Sequence, residues 1–458
     1  MSNSYRFIRN FMGCVGSAAL FAAMTTPLHA AINDTGITTC SDGTKDNLSC
    51  PVAGLPGQDA EYGSNGFDFT KLDASGNVLP SSATDHACVR DNVTGLVWEV
   101  KTSDGGPRDQ QWIYTWYDSQ SATNSGNAGV SSGGHCHDTG HCDTDKYVQD
   151  VNATGLCGSR DWRMPTAKEL AGIVNYRRPS PGPTIDVGYF PNAKSSYFWT
   201  STMDADDASR AWYVYFNDGD IDYALRSSSY AVRLVRGVQS VDSFTLNFDG
   251  TVTQNATGLM WAQCSEGLTG EGCETGSAAH LSWNQALTDA KNSRLGGHSD
   301  WRLPNVKELQ SLVDYSRYSP SLDSTYFPST PTVGFWSSSS ATAGNSGTSE
   351  WFVDFYHGGL RSDVGSDSAA VRLVRGGTNP GIERMLNLAE SKFPQLFSPH
   401  TSFAAQGYIV RGPYYGDVYL GSKDGRGYSY NWPVGIGPTD QGSVAGITQY
   451  LEGLPPSP

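Results

Sequence analysis

The chain spells DWRMPTAKEL at residues 161–170 and DWRLPNVKEL at residues 300–309, 139 residues later. Seven of the ten positions are identical. Pro165 fits the entrance of a helix, where its missing N–H is not needed. Thr166, with Glu169 three residues on, predicts a capping box, because the hydroxyl and the carboxylate can each accept from a backbone N–H that the helix leaves unpaired. The repeated stretch therefore predicts a helix start that is built twice.

The similarity between the two segments extends beyond this helix start. The other recurring motifs are Asn-x-Thr-Gly-Leu-x-Trp (92–98, 255–261), Tyr-Phe-Pro (189–191, 326–328), Phe-Trp-[Thr/Ser]-Ser (198–201, 335–338) and Val-Arg-Leu-Val-Arg-Gly (232–237, 371–376). Ordered motifs found twice indicate a tandem repeat. We call residues 66–238 copy 1 and residues 242–377 copy 2. The first tryptophans are 163 residues apart, so copy 1 carries an insertion, which we place at residues 118–144.

Each copy has the pattern of an α+β unit. Apolar residues at helical spacing follow both helix starts, and second helices are predicted at 145–156 and 283–295. Strands are predicted at 212–216, 231–235, 351–355 and 370–374, and a hairpin at 244–253 turns at Asp249-Gly250. The predicted fold is two helices against small antiparallel sheets, built twice.

The remaining segments differ from the repeats. Arg6 and Arg9 precede an apolar run and a small-residue stop at Ala30, so residues 1–30 are predicted to be a secretory signal peptide. Residues 31–65 are predicted to be an extended segment pinned by Cys40 and Cys50. Residues 380–453 are predicted to form a small C-terminal α+β domain.

Eight cysteines remain after the leader is removed, and an even number in an exported chain predicts four disulfides. Eight cysteines allow 105 pairings, so the sequence alone does not fix the connectivity. Closeness along the chain favours Cys40 with Cys50, Cys136 with Cys142 and Cys264 with Cys273. Cys88 and Cys157 would then form the fourth pair.

The charge balance restricts the partners. The formal net charge is −15, and it becomes −17 when Arg6 and Arg9 leave with the leader. Such a charge disfavours nonspecific attraction to nucleic acid and to anionic membranes. We expect neither nucleic acid binding nor membrane insertion after cleavage.

The five repeated motifs together resemble the Lcl C-terminal domain family, named for a collagen-like adhesin of Legionella. The resemblance covers residues 86–377 and implies two tandem C-type-lectin-like domains on an exported bacterial protein. It also implies adhesion and binding to glycans, notably sulfated ones. This chain lacks a Gly-X-Y collagen run and is acidic, which disfavours sulfated ligands.

The same helix start and the Arg-Leu-Val-Arg ending also resemble the formylglycine-generating enzyme superfamily, which shares the broad fold. Those enzymes depend on paired reactive cysteines or histidine-bound iron late in the domain. Neither copy has a cysteine after Cys157 or Cys273 respectively. Fold does not carry function, and we expect no oxidase or oxygenase activity.

Two stretches have the spacing of metal sites. His135, His137 and His141, beside Cys136 and Cys142, are spaced as zinc ligands can be, although a disulfide loop with surface histidines is favoured for an exported chain. Oxygen donors at Asn217, Asp218, Asp220 and Asp222 alternate as in calcium loops, but a hairpin turn is the favoured alternative. We therefore expect no cofactor.

Ligand contacts are expected where the copies differ. The repeated tryptophans are predicted to be core, namely Trp98, Trp162, Trp199, Trp212 and their counterparts Trp261, Trp301, Trp336, Trp351. Tyr215, Asn217, Asp220 and Tyr223 are the candidate ligand residues. Asp161 with Arg163, and Asp300 with Arg302, can be interpreted as a catalytic acid and an anion-binding arginine. Because they are identical in both copies, structural ion pairs or loop hydrogen bonds are favoured.

The sequence thus predicts an exported, non-enzymatic binding or adhesion protein that recognises a glycan or a cell-surface protein. The expected location is the periplasm, outer surface or exterior of a Gram-negative bacterium. One alternative is an exported enzyme, either metal-dependent or related to the formylglycine-generating family. A further alternative is an envelope scaffold that binds no small ligand.

Overall fold

The computed structural model describes residues 32–62, 67–178, 180–238, 243–341, 349–364 and 368–376, together with three strands between residues 409 and 431. These residues form a few short helices and several small antiparallel sheets. No helix in these ranges is both long enough and apolar enough to cross a membrane. The predicted leader at residues 1–30 lies outside the described residues, as does most of the predicted C-terminal domain at 380–453.

The N-terminal segment and copy 1 alternate short strands with three helices. In chain order their elements are α1 (Asp59–Tyr62), β1 (Phe69–Leu72), β2 (Cys88–Asp91), β3 (Val97–Glu99), β4 (Tyr114–Thr115), α2 (Thr144–Thr154), α3 (Ala167–Gly172), β5 (Tyr197–Met203), β6 (Arg210–Tyr215), β7 (Ile221–Leu225), β8 (Ser229–Tyr230) and β9 (Val235–Arg236). The predicted strand at 231–235 is shorter than expected: Ala231 forms only an isolated bridge to Phe198.

Copy 2 repeats the order of the longer strands and of the helices, adds a hairpin, and has only an isolated bridge between Leu281 and Ala369 where copy 1 has β4 and β8. Its elements are β10 (Phe244–Leu246), β11 (Thr251–Gln254), β12 (Leu259–Ala262), β13 (Leu268–Thr269), β14 (Thr275–Gly276), α4 (Trp283–Asn292), α5 (Val306–Ser311), β15 (Gly334–Ala341), β16 (Ser349–Asp354), β17 (Leu360–Val364) and β18 (Val374–Gly376). The C-terminal strands are β19 (Ile409–Arg411), β20 (Asp417–Gly421) and β21 (Gly427–Asn431), which pair in that order.

The repeated helix start folds as expected. In α3 the Thr166 hydroxyl accepts from the Glu169 N–H, and the Glu169 carboxylate accepts from the Thr166 N–H. Asn305 and Glu308 form the same capping box in α5. The eight repeated tryptophans are buried, which confirms their assignment to the core.

The two copies share one sheet and one core. Each copy has its own four-stranded sheet, in the orders β1-β2-β3-β9 and β10-β11-β12-β18. A third sheet, in the order β15-β16-β17-β7-β6-β5, runs through both copies, with Ile221 opposite Leu360 at the seam. One apolar cluster draws on both copies, and two smaller clusters lie mainly in one copy each.

The contacts between the copies are reciprocal. The Lys168 Nζ donates to the Ser311 carbonyl at 2.7 Å, and the Lys307 Nζ donates to the Gly172 carbonyl at 2.8 Å. Each partner is the other's counterpart at a spacing of 139 residues. Tyr176 likewise packs against Trp351, and Tyr315 against Trp212. This is the arrangement of an isologous dimer joined in one chain.

The N-terminal segment lies across both copies. Asn33 donates to Asp91 of copy 1 at 2.6 Å, and the Lys307 Nζ of copy 2 donates to the Asp34 carbonyl at 2.7 Å. The buried Asp59 carboxylate accepts from Thr35 and from Ser339 of copy 2. Burial raises the pKa of Asp59 to about 7. The segment therefore fastens the pair together.

All four predicted disulfides form. The pairs are Cys40–Cys50, Cys88–Cys157, Cys136–Cys142 and Cys264–Cys273. The first pins the N-terminal segment, and the second joins β2 to the end of the α2 region. The thiols of Cys136 and Cys142 are thereby bonded to each other, so they are not zinc ligands.

Candidate functional site

Four tyrosines gather on one face of copy 1. Tyr197 begins β5, Tyr213 and Tyr215 lie two residues apart on β6, and Tyr230 lies on β8. Tyr197 is opposite Tyr215 in the β5–β6 ladder, and Trp199 is opposite Tyr213. Because side chains alternate along a strand, these residues project to the same side of the sheet. We call Tyr197, Tyr213, Tyr215 and Tyr230 the tyrosine cluster.

The rings of the tyrosine cluster are in direct contact. Tyr197 and Tyr215 are stacked with their centroids 4.0 Å apart, and Tyr213 meets Tyr197 edge-on at 5.0 Å. Tyr230 lies 4.9 Å from Tyr197 and 4.5 Å from the buried Trp199. In the described part of the chain, Tyr215 has Tyr197 as its only ring partner. The cluster is therefore a partly exposed aromatic platform that rests on a buried indole.

The hydroxyls lie in an acidic environment. Burial is the largest cause that raises the pKa of Tyr213, Tyr215 and Tyr230, and Tyr197 adds to it for all three. The carboxylates that raise these pKa values further are Asp218, Asp220 and Asp222. Burial also raises the pKa of Asp220 itself to about 7, with Asp218 contributing and Arg361 opposing. The platform therefore combines apolar ring faces, neutral hydroxyls and nearby negative charge.

Copy 2 has no such platform. The positions of Tyr197, Tyr213, Tyr215 and Tyr230 are occupied by Gly334, Phe352, Asp354 and Ala369 respectively. A side chain at Gly334 would meet the Phe352 ring, because an added Cβ would lie 2.6 Å from it. The aromatic residues left on this face are Trp336 and Phe352, whose centroids are 6.1 Å apart. The same sheet therefore has a different surface in each copy.

The four residues predicted to contact ligand do not all lie together. Tyr215 is part of the tyrosine cluster, and Asp220 lies in the turn that follows it. Asn217, in the same turn, donates from Nδ2 to the Ser180 hydroxyl at 2.9 Å. Tyr223 faces the other side of the sheet, where it packs edge-on against Trp212 and beneath the Arg210 guanidinium. Tyr223 therefore cannot join Tyr215 on one platform.

Three members of the tyrosine cluster were not among the predicted ligand residues. Tyr213 lies two residues before Tyr215 on β6, the β5–β6 register brings Tyr197 beside Tyr215, and Tyr230 comes from β8, which pairs with β4. A signal was nevertheless present in the sequence. Tyr197 stands directly before the repeated Phe-Trp motif, where copy 2 has Gly334.

The candidate zinc residues are separated. The His137 Nδ1 lies 3.0 Å from the Gly105 carbonyl, and the His141 Nδ1 lies 2.9 Å from the Asp150 carboxylate. His135 packs edge-on against Trp112. Across the described ranges, no three His, Cys, Asp or Glu side chains are grouped as metal ligands, and this includes the candidate calcium loop at Asn217, Asp218, Asp220 and Asp222. That loop is the β6–β7 hairpin turn, with Gly219 at a φ of 105°.

The repeated aspartate and arginine form ion pairs, but not with each other. Arg163 holds Glu169 through both guanidinium nitrogens at 2.6 and 2.8 Å, and Arg302 holds Glu308 in the same way. Asp161 accepts instead from Arg236 at 2.9 Å, and Asp300 from Arg375 at 2.7 Å. Asp161 and Arg163 therefore form structural ion pairs, the favoured interpretation, but with other partners and not with each other. The arginine braces the capping box, and the aspartate fastens the closing strand.

A second polar group, buried inside copy 1, is closed to solvent. The Glu99 carboxylate accepts from the Tyr147 hydroxyl, from the Lys101 Nζ at 3.2 Å and from the Leu234 N–H at 3.0 Å. Burial lowers the pKa of Lys101 to about 8. Arg233 donates to the Glu99 carbonyl at 2.6 Å. These side chains are almost fully buried, so we assign them to the core and not to a ligand site.

Comparison with known proteins identifies a family. The family model described as the Lcl C-terminal domain matches residues 87–236 and 250–375, that is, one segment in each copy. Comparisons with curated proteins and with solved structures found no match. The matched segments contain the repeated motifs, except for the closing Gly237 and Gly376, and every strand of the six-stranded sheet that holds Tyr197, Tyr213 and Tyr215.

Proposed function

Because the chain belongs to the Lcl C-terminal domain family, an adhesin-associated family, we propose that it is a non-enzymatic binding protein whose tyrosine cluster recognises a glycan. The observation that carries the proposal is that this platform is present in copy 1 and replaced in copy 2. Residues shared by the copies, such as the tryptophans and the capping boxes, are buried or engaged in framework contacts. Ligand contacts are then left to the surface that differs.

The chemistry of the platform suits a sugar. Pyranose rings present C–H faces that pack on aromatic rings, and tyrosine adds a hydroxyl that can donate or accept at the ring edge. Stacking of Tyr197 on Tyr215 holds both rings in place before a ligand arrives, which lowers the entropy lost on binding. Tyr215 offers a ring face that no other described ring covers.

We also propose that the protein is exported and that each copy has a C-type-lectin-like fold. Four disulfides support export to an oxidising compartment. The leader-like sequence at residues 1–30 supports the same conclusion. Paired helices against small sheets with long loops support a C-type-lectin-like arrangement in each copy. A glycan at the cell surface is the ligand that this arrangement favours.

The test is a glycan array probed with the wild-type chain, with Tyr197→Ala/Tyr215→Ala, and with Tyr318→Ala as the matched control. Tyr318 is an exposed tyrosine of copy 2, 46% exposed, outside the platform. We expect the double variant to lose the array signal and the control to keep it, with and without calcium. An unchanged signal in the double variant would contradict the site. An array with no bound glycan would favour the protein-partner or scaffold alternative.

The enzymatic alternative is tested separately. Metal analysis and thiol titration of the folded, oxidised protein are expected to find neither stoichiometric zinc nor free thiols at Cys136 and Cys142. Stoichiometric zinc together with free thiols at these cysteines would overturn the non-enzymatic proposal.

A further inference from the structure

The carboxylates around the tyrosine cluster are as specific to copy 1 as the tyrosines are. Asp222 lies directly opposite Tyr213 in the β6–β7 ladder, and directly opposed side chains have Cβ atoms about 5 Å apart. Asp218 and Asp220 follow Tyr215 in the adjoining turn. In copy 2 these three positions are His357, Gly359 and Arg361. The three carboxylates and the aromatic platform therefore occur together in copy 1 and are absent from the equivalent positions of copy 2, where Asp354 replaces Tyr215.

Asp218 accepts from the Asp220 N–H within the turn, so Asp222 is the carboxylate of interest for a ligand. Among the ion pairs of the described residues, none includes Asp218, Asp220 or Asp222. Asp222 is partly exposed, and its Oδ1 accepts only from the adjacent Tyr223 N–H. Its second carboxylate oxygen has no described hydrogen-bond partner. A cation brought next to Tyr213 would therefore meet an available acceptor.

We propose that the glycan recognised by the tyrosine cluster carries free, protonated amino groups, as oligosaccharides of glucosamine do. This inference rests on the proposed function and specifies the ligand class. A sugar ring stacks on the open face of Tyr215, and an ammonium group on the ligand pairs with Asp222. A cation beside the rings is also attracted by their faces. A sulfated glycan would place like charges together, which disfavours binding.

The experiment measures the affinity of the full chain for four probes, by titration calorimetry at a pH at which the glucosamine amines are protonated. The probes are a glucosamine hexamer, the N-acetylglucosamine hexamer, a heparin oligosaccharide of similar length, and pentalysine. We expect the glucosamine hexamer to bind about fivefold tighter than the N-acetylated one, the upper end of what an ion pair near the surface contributes. Heparin and pentalysine are expected to bind more weakly than either hexamer.

Two matched variants separate the site from the general charge of the protein. Asp222→Asn is expected to remove the fivefold preference and to leave the affinity for the N-acetylated hexamer unchanged. Asp289→Asn, an exposed carboxylate on α4 of copy 2, is expected to change neither.

Equal affinity for the two hexamers, tighter binding of heparin, or binding of neither hexamer would overturn the amine preference. The amine preference would also be overturned if pentalysine bound as tightly as the glucosamine hexamer and depended on Asp222 in the same way. If Tyr197→Ala/Tyr215→Ala abolishes binding of two hexamers that bind equally well to the wild type, the preference fails while the proposed function stands. If that variant still binds both, the proposed function fails as well.

Discussion

Where copy 1 has Glu99 and Tyr147, copy 2 has Ala262 and Ala286. Both alanines are buried in the same places, beside Trp283 and Leu287. Copy 1 keeps a network of charged and phenolic groups there, whereas copy 2 packs apolar side chains. The shared arginine keeps one contact in both copies: Arg233 donates to the Glu99 carbonyl, and Arg372 donates to the equivalent Ala262 carbonyl and also to the Thr330 hydroxyl. The same framework thus accommodates either a buried charged network or apolar side chains at these positions. The fold therefore does not require the network.

The cross-links differ in the same way. Copy 1 joins β2 to the α2 region through Cys88–Cys157, whose residues are 69 apart in sequence. Copy 2 has Thr251 and Gly296 at these positions, and an added Cβ on Gly296 would lie 3.2 Å from the Thr251 methyl group. The two positions are neighbours in both copies, but only copy 1 bonds them covalently.

The largest effect is expected from removing that bond. Cys88→Ala/Cys157→Ala should lower the free energy of unfolding by about 4 kcal/mol, because the long loop gains the most chain entropy when it opens. Cys264→Ala/Cys273→Ala, which opens a short loop of copy 2, should cost about 3 kcal/mol. Urea unfolding under oxidising conditions measures both. A larger loss for the short loop would contradict this explanation.

The next largest effect is expected in the buried network of Glu99, Lys101 and Tyr147. Glu99→Gln should destabilise the protein by about 3 kcal/mol, because the ammonium of Lys101 then stays buried without its counter-charge. Adding Lys101→Met should recover part of that loss. Glu271→Gln, an exposed carboxylate of copy 2, is the control and should change stability by less than about 0.5 kcal/mol. If Lys101→Met adds a further loss instead, the two charges are not coupled.

A smaller effect is expected at the contact between the copies. Lys307 is buried and donates to both Gly172 and Asp34, whereas Lys168 is partly exposed and donates to Ser311. Lys307→Ala should therefore cost about 2 kcal/mol and Lys168→Ala about 1 kcal/mol or less, as judged by thermal and urea unfolding. Equal losses would mean that the N-terminal segment adds nothing at Lys307.

Contacts between residues close in sequence were predictable, whereas contacts that depend on how the strands pair were not. The capping boxes at Thr166 and Asn305 depend on residues three apart, so the pattern predicted them. The short-range disulfides followed from closeness along the chain in the same way. Asp161 and Arg163 are also close in sequence, yet each pairs elsewhere, because strands β9 and β18 bring Arg236 and Arg375 to the aspartates.

The candidate site shows the same limit. Tyr215 was found because it differs between the copies, but Tyr223 met that criterion too and faces the opposite side of the sheet. Side chains alternate between the two faces along β6 and β7, and the register in which the two strands pair decides which residues share a face. The continuous sheet through Ile221 and Leu360 was likewise not visible in a repeat that predicts two separate units.

The most direct test of the central claim converts the platform of copy 1 into the surface of copy 2. Tyr197→Gly/Tyr215→Asp places the residues of Gly334 and Asp354 at the equivalent positions, on a framework that already accepts them in copy 2. We predict a folded, oxidised protein with the wild-type circular dichroism spectrum that no longer binds the glycans captured by the wild type. A folded variant that binds those glycans with unchanged affinity would contradict the claim that recognition lies where the copies differ.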